Sequence, residues 1–422
     1  MSFQQGLSGL SAASQNLSVI GNNVANSGTF GFKESRTEFA DMYAAALNGA
    51  GSSQVGIGVT VAAVAEQFTQ GNITATGNPL DMAINGGGFF QVQDSTGQTN
   101  YTRNGQFKLD RNGYVVTNGG DKLLGYPADG QGVILPGKAL PLQLPTSGIA
   151  PNATSKVQIA MNLNSNSAPI AASTVIDASN PKTFDYSTSA TLYDSKGQDV
   201  AVTYFFRHSD ATASGWDVYA QANGTWLGSG TASAPAPISS LTFDSQTGAL
   251  TSSNTFTFDV PATTNASTGA NVLAISGVTM DLTGATSVAA NDSSVTSLTQ
   301  DGYASGQITG VTVDDTGVLL ARYSNGQSKA AGQLVLAEFP NPQGLQDTGN
   351  NQWRRTFASG DAVEGTPGNG NMGALQAGSL EESNVDLTAE LVSMITAQRD
   401  YQANAQTIKT MDQAMQTLVN LR

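Results

Sequence analysis

One helical stripe of apolar residues stands at each end of this chain, and the two stripes constrain the fold more than any other feature. Near the start, Phe3, Leu7, Leu10, Ala13, Leu17, Ile20 and Val24 recur at spacings of three and four. That is the period of a coiled-coil seam and predicts a helix over about 5–26. Asn26 and Gly28 suit its stop. Near the other end, Leu387, Leu391, Met394, Gln398, Tyr401, Ala405, Ile408, Asp412, Met415 and Val419 keep the same alternation. Ser383, with Asp386 three residues on, has the form of a capping box opening that helix. Gln398 and Asp412 within the seam are expected to be buried, fixing register at a cost in stability. Met411, Leu418 and Leu421 fall beside the stripe, so one face cannot hold every apolar residue and more than one neighbour is expected. Both stripes also carry small residues: Ala12, Ala13, Gly21, Ala397, Ala403 and Ala405. Two such stripes flanking a different kind of middle favour packing between molecules over burial in the chain's own core.

The middle reads as β-structure. Short apolar runs alternate with Gly, Asn and Asp. Four sites repeat one turn chemistry, with Asp first and Gly fourth: Asp94–Gly97, Asp110–Gly113, Asp194–Gly197 and Asp314–Gly317. This suits type I turns joining hairpin strands. Calcium coordination is the alternative, but none has the ligand spacing of an EF-hand loop. Stretches rich in small residues at 145–154, 285–297 and 359–373 read as domain edges, and the block between the first two reads as a separate β domain. Residues 29–70, with the Gly/Ser-containing run 49–58, look loosely packed.

Composition narrows the chemistry. The chain of 422 residues is long enough for several domains. Only 12% of its residues are charged, and the net charge is −14. No segment is basic, so neither nucleic acid nor an anionic membrane surface is an expected partner. No apolar run approaches the roughly 20 residues that cross a bilayer, so no membrane insertion is expected. The first residues lack a basic and then apolar leader, so no cleaved secretory signal is expected. There is no cysteine, which removes disulfides, thiolate nucleophiles and thiolate metal sites. The single histidine, His208, is the sole base available to a Ser–His–acid triad. It follows a strand-like run and reads as a strand-end polar residue. Asn85–Phe90 is glycine-rich but lacks the Lys-Ser/Thr ending of a phosphate loop and leads into an apolar strand. Trp353-Arg354-Arg355 reads as an exposed patch or partner contact. No catalytic, cofactor-binding or metal residue is assigned.

The remaining motifs point to a family. Ser8–Ala13, Ile20–Asn26 and Thr29–Lys33, which include Asn22, Asn23, Asn26, Gly31, Phe32 and Lys33, resemble the N-terminal signature of bacterial flagellar rod and hook axial proteins. Asn384, Asp386, Gln398 and Arg399, within Ser383–Leu387 and Ala397–Ala405, resemble the other end of that family. Asn78–Ile84 with Gly88–Phe90, and Tyr101–Gly105 with Phe107, match in the family's order, and the hook branch fits best. The resemblance implies a multidomain α+β fold. Coiled-coil-like terminal helices (1–30 plus 380–422) form an inner polymerisation domain. Residues 31–71 form a linker region, 72–148 plus 300–370 a discontinuous β-rich middle domain, and 149–299 an outer β domain.

The same resemblance implies a non-enzymatic, cofactor-free subunit of a helical polymer. It assembles into a flexible curved tube that joins rod to filament and transmits motor torque for motility. Leu7, Leu10, Leu17, Ile20, Val24, Leu387, Leu391, Met394, Tyr401, Ile408 and Met415 would carry self-assembly. The expected partners are other copies, the distal rod, the hook cap, the hook–filament junction proteins and the flagellar type III export apparatus. That apparatus would deliver the chain outside the cell, to the hook and basal-body region of the flagellum. A distal rod protein is the nearest alternative. A surface adhesin using Trp216 and Trp226 as sugar platforms is the rival from another class.

Overall fold

The computed structural model describes residues 2–42, 56–209, 214–231, 233–265 and 268–420. Leu421 and most of the 49–58 run lie outside the described residues, as do the side chains of Leu418 and Val419. The chain divides into two compact units. The first comprises Met1–Thr146, Gly310–Arg322 and Ser328–Arg422, and the second Ser147–Thr309 and Tyr323–Gln327.

The first unit holds both helices, α1 (Ser2–Asn26) and α2 (Leu387–Asn420), packed on each other beside mainly β-structure. The capping-box expectation is corrected here. Asp386 is itself the N-cap, its Oδ1 accepting from the amides of Thr388 at 2.9 Å and Ala389 at 3.1 Å. Ser383 Oγ instead accepts from the Val385 amide at 3.3 Å, before the helix begins. Residues 31–71 contain an antiparallel hairpin of β1 (Ser35–Met42) and β2 (Gly58–Glu66).

The β body of this unit is an antiparallel sheet. Its central order is Ser328–Leu334, Lys122–Pro127, Phe89–Gln93, Thr99–Thr102, Gln352–Arg354, Gln346–Gly349. Phe89, Tyr101, Phe339 and Trp353 are buried on it, with Phe68 packed against them. Their rings meet edge to face, at 5.4 Å for Phe68–Trp353 and 4.7 Å for Tyr101–Phe339. Strands far apart in sequence close this unit: Ile73–Ala75 pairs with Ser379–Glu381, and Met82–Asn85 with Ala374–Ala377.

The second unit has two five-stranded sheets around one core. Lys156–Asn164 buries alternate residues Val157, Ile159, Met161 and Leu163, and Asp199–His208 contributes Val200, Val202, Tyr204 and Phe206. The ends of the unit are zipped together, Ile149 bridging to Gly306 and Asn152 to Tyr303. All four Asp-x-x-Gly sites are turns in which the Gly amide donates to the Asp carbonyl, at 2.9–3.1 Å. Asp129–Gly132 is a fifth of the same kind.

Candidate assembly site

α1 and α2 run antiparallel, since Gly6 meets Ile408, Gly9 meets Asn404 and Asn23 meets Glu390. The close approach rests on small residues. A Cβ on Gly6 would lie 3.1 Å from Ile408 Cγ1, and one on Gly9 2.8 Å from Asn404 Oδ1. Glycine inside a helix costs about 1 kcal/mol relative to alanine, so two here indicate that contact outweighs propensity. Ala12, Ala13 and Ile20 continue this buried row on α1.

On α2 the buried or half-buried residues are Glu390, Met394, Ala397, Asn404, Ala405, Ile408 and Met411. Of the expected stripe, Met394, Ala405 and Ile408 are thus half-buried, whereas Leu387, Leu391, Gln398, Tyr401, Asp412 and Met415 are exposed. At 3.6 residues per turn, Leu387, Leu391 and Ile395 sit about 80–160° round the helix from the buried row. Leu391 and Ile395 are 45% and 52% exposed, whereas Ala397 is 2% exposed. On α1 the same division leaves Phe3 and Leu7 exposed, with Leu10, Leu17 and Val24 half-buried. Gln398 and Asp412 are thus not buried in this chain, correcting that expectation. The seam reading found the period and part of the buried row (Ala13, Ile20, Met394, Ala405 and Ile408) but mixed it with flanking exposed residues; Gly6 and Gly9, spaced by three, were the missed signal.

Several signature residues meet at a polar root where the helix pair joins the hairpin. Asn23 donates to the Ser35 carbonyl at 2.8 Å and to Glu390 Oε1 at 3.1 Å, and accepts from the Ser35 amide at 3.0 Å. Asn384 accepts from the Glu34 amide at 2.7 Å and donates to the Gln67 carbonyl at 2.8 Å. Lys33 donates to Glu381 Oε1 at 2.6 Å and to the Thr69 carbonyl at 2.6 Å. Arg103 reaches Glu381 Oε2 at 3.2 Å and the Gly86 carbonyl at 2.9 Å. The Lys33 and Glu381 side chains are wholly buried. Burial holds Lys33 below the usual lysine range, against the opposing pull of Glu381, and Arg103 lowers it further.

Gly31 lies against the same root with φ +71°, and its amide donates to the Glu381 carbonyl at 2.9 Å. A Cβ there would lie 2.7 Å from the Arg103 carbonyl carbon and closer still to the Asn104 amide nitrogen. Phe32 is half-buried nearby in sequence. Asn26 is half-buried and donates to the exposed Asn22 Oδ1 at 2.8 Å, while Arg399 is exposed on α2. The sequence reading missed Glu381 and Glu390. An acid interrupting the apolar stripe at Glu390 was the one available hint.

The sites with a chemical look resolve otherwise. His208 is buried, stacks on Trp216 at 5.0 Å, and places Nδ1 2.8 Å from the Ser167 carbonyl, a backbone atom and not a hydroxyl. Trp216 is 1% exposed, and half-buried Trp226 packs on Phe205 at 5.3 Å, so neither is an open sugar platform. Trp353 lies in the aromatic core, which corrects its place in an exposed patch, while half-buried Arg354 turns to Asn100 and Arg355 stays exposed beside Asp361. Among the described residues no helix is long and apolar enough to cross a membrane.

Profiles of four families match the chain. Residues 3–33 match the flagella basal body rod protein, and 83–166 the flagellar hook protein FlgE/F/G D1 domain. Residues 162–303 match the flagellar basal body protein FlaE D2 domain, and 376–421 the flagellar basal body rod FlgEFG protein C-terminal region. The chain is 41% identical to the flagellar hook protein FlgE of Salmonella typhimurium and 42% identical to that of Escherichia coli K12, over the whole of both chains in each case. It is 31% identical to the Borreliella burgdorferi flagellar hook protein FlgE, over all of this chain and 99% of that one. The crystal structure of Helicobacter pylori flagellar hook protein FlgE2 is similar in fold. Its TM-score is 0.50 at 16% identity, covering 73% of this chain and all of that one.

Proposed function

The chain belongs to the flagellar hook protein family and is a structural subunit of the flagellar hook, and from that premise we propose how it assembles. The observation that carries the reading is the second apolar stripe of α2. Leu387, Leu391, Val392 and Ile395 stay exposed after α1 has covered the first stripe. A stripe of that length on a helix already packed on one side is a surface for a neighbouring copy. Copies related head to tail do not close on themselves and build a tube. In this reading the helix pair is the inner polymerisation domain, the β body the middle domain and the second unit the outer domain. The tube is flexible and curved, joins rod to filament and transmits torque. The distal rod, hook cap, junction proteins and type III export apparatus are its further partners, and delivery proceeds without a cleaved signal. The role is mechanical, not enzymatic: His208 is committed to a backbone carbonyl and an indole stack. Distal rod function is not favoured, given full-length identity to hook proteins. The adhesin reading loses Trp216 to the core.

Two substitutions on α2 separate the stripes. Covering a leucine contributes about 1.5–3 kcal/mol, and about 1.4 kcal/mol is a tenfold change in an association constant. Leu391→Asp should raise the critical concentration for polymerisation at least ~10-fold while monomer circular dichroism stays unchanged. Ile408→Asp faces Gly6 within the chain, so it should first loosen the helix pair, lowering monomer helicity. Sedimentation and electron microscopy read assembly. Tubes forming from Leu391→Asp at the unmodified critical concentration would move the contact elsewhere.

A further inference from the structure

The base of the β1–β2 hairpin is flanked on both sides by carboxyl groups, and no salt bridge to them is formed among the described residues. Ser35 pairs with Glu66 at the open end of the ladder, and the Gln67 amide donates to the Glu34 carbonyl at 2.7 Å. On one side, Asn23 bonds both the Ser35 backbone and Glu390 Oε1, bringing the start of the hairpin beside Glu390 on α2, whose charge acts on the Glu34 carboxyl. Glu390 is 8% exposed; its Oε1 accepts from Asn23, and its Oε2 is buried with no donor among the described residues. Asp386 adds a further negative charge. Arg36 is the one cation acting on Glu34, and its guanidinium is engaged by Glu38 at 2.8 Å. On the other side, the Glu66 carboxyl accepts from Trp353 Nε1, and the charge acting on it is Asp347, of the same sign. Gln343 Nε2 holds the Glu66 backbone carbonyl at 2.7 Å, leaving the side chain free to respond.

Glu34 is half-buried beside this site, and a proton on it supplies the donor that the buried Glu390 Oε2 lacks. We propose that the hairpin base is a proton-linked latch. A proton on Glu34, directed at Glu390, ties it to α2, a neutral Glu66 can stay buried beside Trp353 in the β body, and loss of these protons releases it. The proposal stands apart from the assembly reading, because it concerns contacts inside one chain.

The electrostatics agree with the geometry. Burial, opposed by the Trp353 N–H and helped by Asp347, pushes the Glu66 carboxyl up to about 7. Burial first, then Glu390, raises Glu34 above the usual carboxylate range. Beyond its base and its packing on α1 the hairpin carries few polar ties. A two-stranded ribbon is marginal alone, and Phe39, Met42 and Val64 on this one are exposed. Asn23 on α1 bonds Ser35 at the base, and farther out the ties to α1 are the Val59 amide to Ser8 Oγ at 3.3 Å and Gln5 Nε2 to the Gly56 carbonyl. The sign follows from the raised values. The latched form binds the extra protons, so its advantage is complete at acid pH and is lost as pH rises through about 7.

The test uses the full chain labelled with nitrogen-15. The Trp353 indole N–H resonance should titrate with a midpoint near 7 and stop titrating in Glu66→Gln. Amide exchange over residues 35–42 and 58–66, corrected for intrinsic base catalysis, should be ~10-fold faster at pH 8.5 than at pH 5.5, one pKa unit of coupling being a tenfold effect. Glu34→Gln should remove part of that dependence while leaving the indole titration in place. The double variant should stay protected at both pH values. A Trp353 resonance that is flat between pH 5 and 9 in the unmodified chain overturns the proposal without any variant. Hairpin exchange that keeps its pH dependence in the double variant overturns it as well.

Discussion

Replacing Glu381 by Gln keeps the side-chain shape and withdraws the one negative charge that serves two buried cations. Glu381 Oε1 takes Lys33 Nζ at 2.6 Å and the Gly71 amide at 3.0 Å, while Oε2 takes Arg103 Nη1 at 3.2 Å. Breaking one partner out of a buried ion pair costs about 3–5 kcal/mol, because the other charge is left uncompensated. The geometry also sets a ceiling for the lysine share. Lys33 can escape by losing its proton, at about 1.36 kcal/mol per pH unit below its unfolded value near 10.4. That is about 4.6 kcal/mol at pH 7 and about 1.9 kcal/mol at pH 9. Arg103 has no such escape and keeps the Gly86 carbonyl at 2.9 Å and the Phe89 ring at 5.3 Å. In the variant, the native state holds fewer protons on Lys33 than the unfolded chain does, so its stability rises with pH until the lysine's ordinary range is reached. The expected result is a loss of about 3–5 kcal/mol at pH 7 that shrinks by about 1–2 kcal/mol at pH 9. Urea unfolding followed through a 5-fluorotryptophan resonance at Trp353 reads the first unit specifically. A loss under about 1 kcal/mol, or a deficit that grows toward pH 9, would refute the reasoning.

Gly31→Ala puts a Cβ against backbone at φ +71°, so strain of about 1–2 kcal/mol adds to overpacking of about 1–3 kcal/mol; the same fluorine resonance should show a loss of at least about 2 kcal/mol, and an unchanged midpoint would contradict the close approach. Tyr204→Phe removes a buried hydroxyl that has no hydrogen-bond partner among the described residues, so the second unit should be unchanged or stabilised by up to about 1 kcal/mol in calorimetry. A loss above about 1 kcal/mol would reveal a partner for that hydroxyl.

The helices were legible because an apolar period survives any tertiary context, and the turns because Asp-x-x-Gly builds its own hydrogen bonds locally. The face that α1 presents to α2 was not legible by the same rule. Leu7 and Leu10 draw the eye, yet close approach selects Gly6 and Gly9, and the bulkier residues are left at the flank. Asp386 was read one role too late in its motif, because Ser-x-x-Asp and a lone Asp N-cap look alike before φ and ψ are known. Trp353 was read with its two arginines, whereas its burial comes from Phe68, Phe89 and Phe339, which no local window contains. Lys33 could be singled out by the family signature, but Glu381, which gives it a reason to be there, lies 348 positions away.

The bridges from Ile149 to Gly306 and from Asn152 to Tyr303 act as a drawstring on the chain. On the ribosome, residues 1–146 emerge long before the strand Ser379–Glu381 that Ile73–Ala75 requires. Closing a loop of 348 positions unaided costs about 5 kcal/mol of chain entropy beyond a constant. The inserted unit finds nearly all its partners within itself, so it can fold while its host waits. Once its mouth is drawn shut, the polymer physics of the host no longer depends on how much chain the pouch contains. Insertions between 152 and 303 are then nearly neutral to the closure of the surrounding sheet, and this part of the sequence is free to diverge in length.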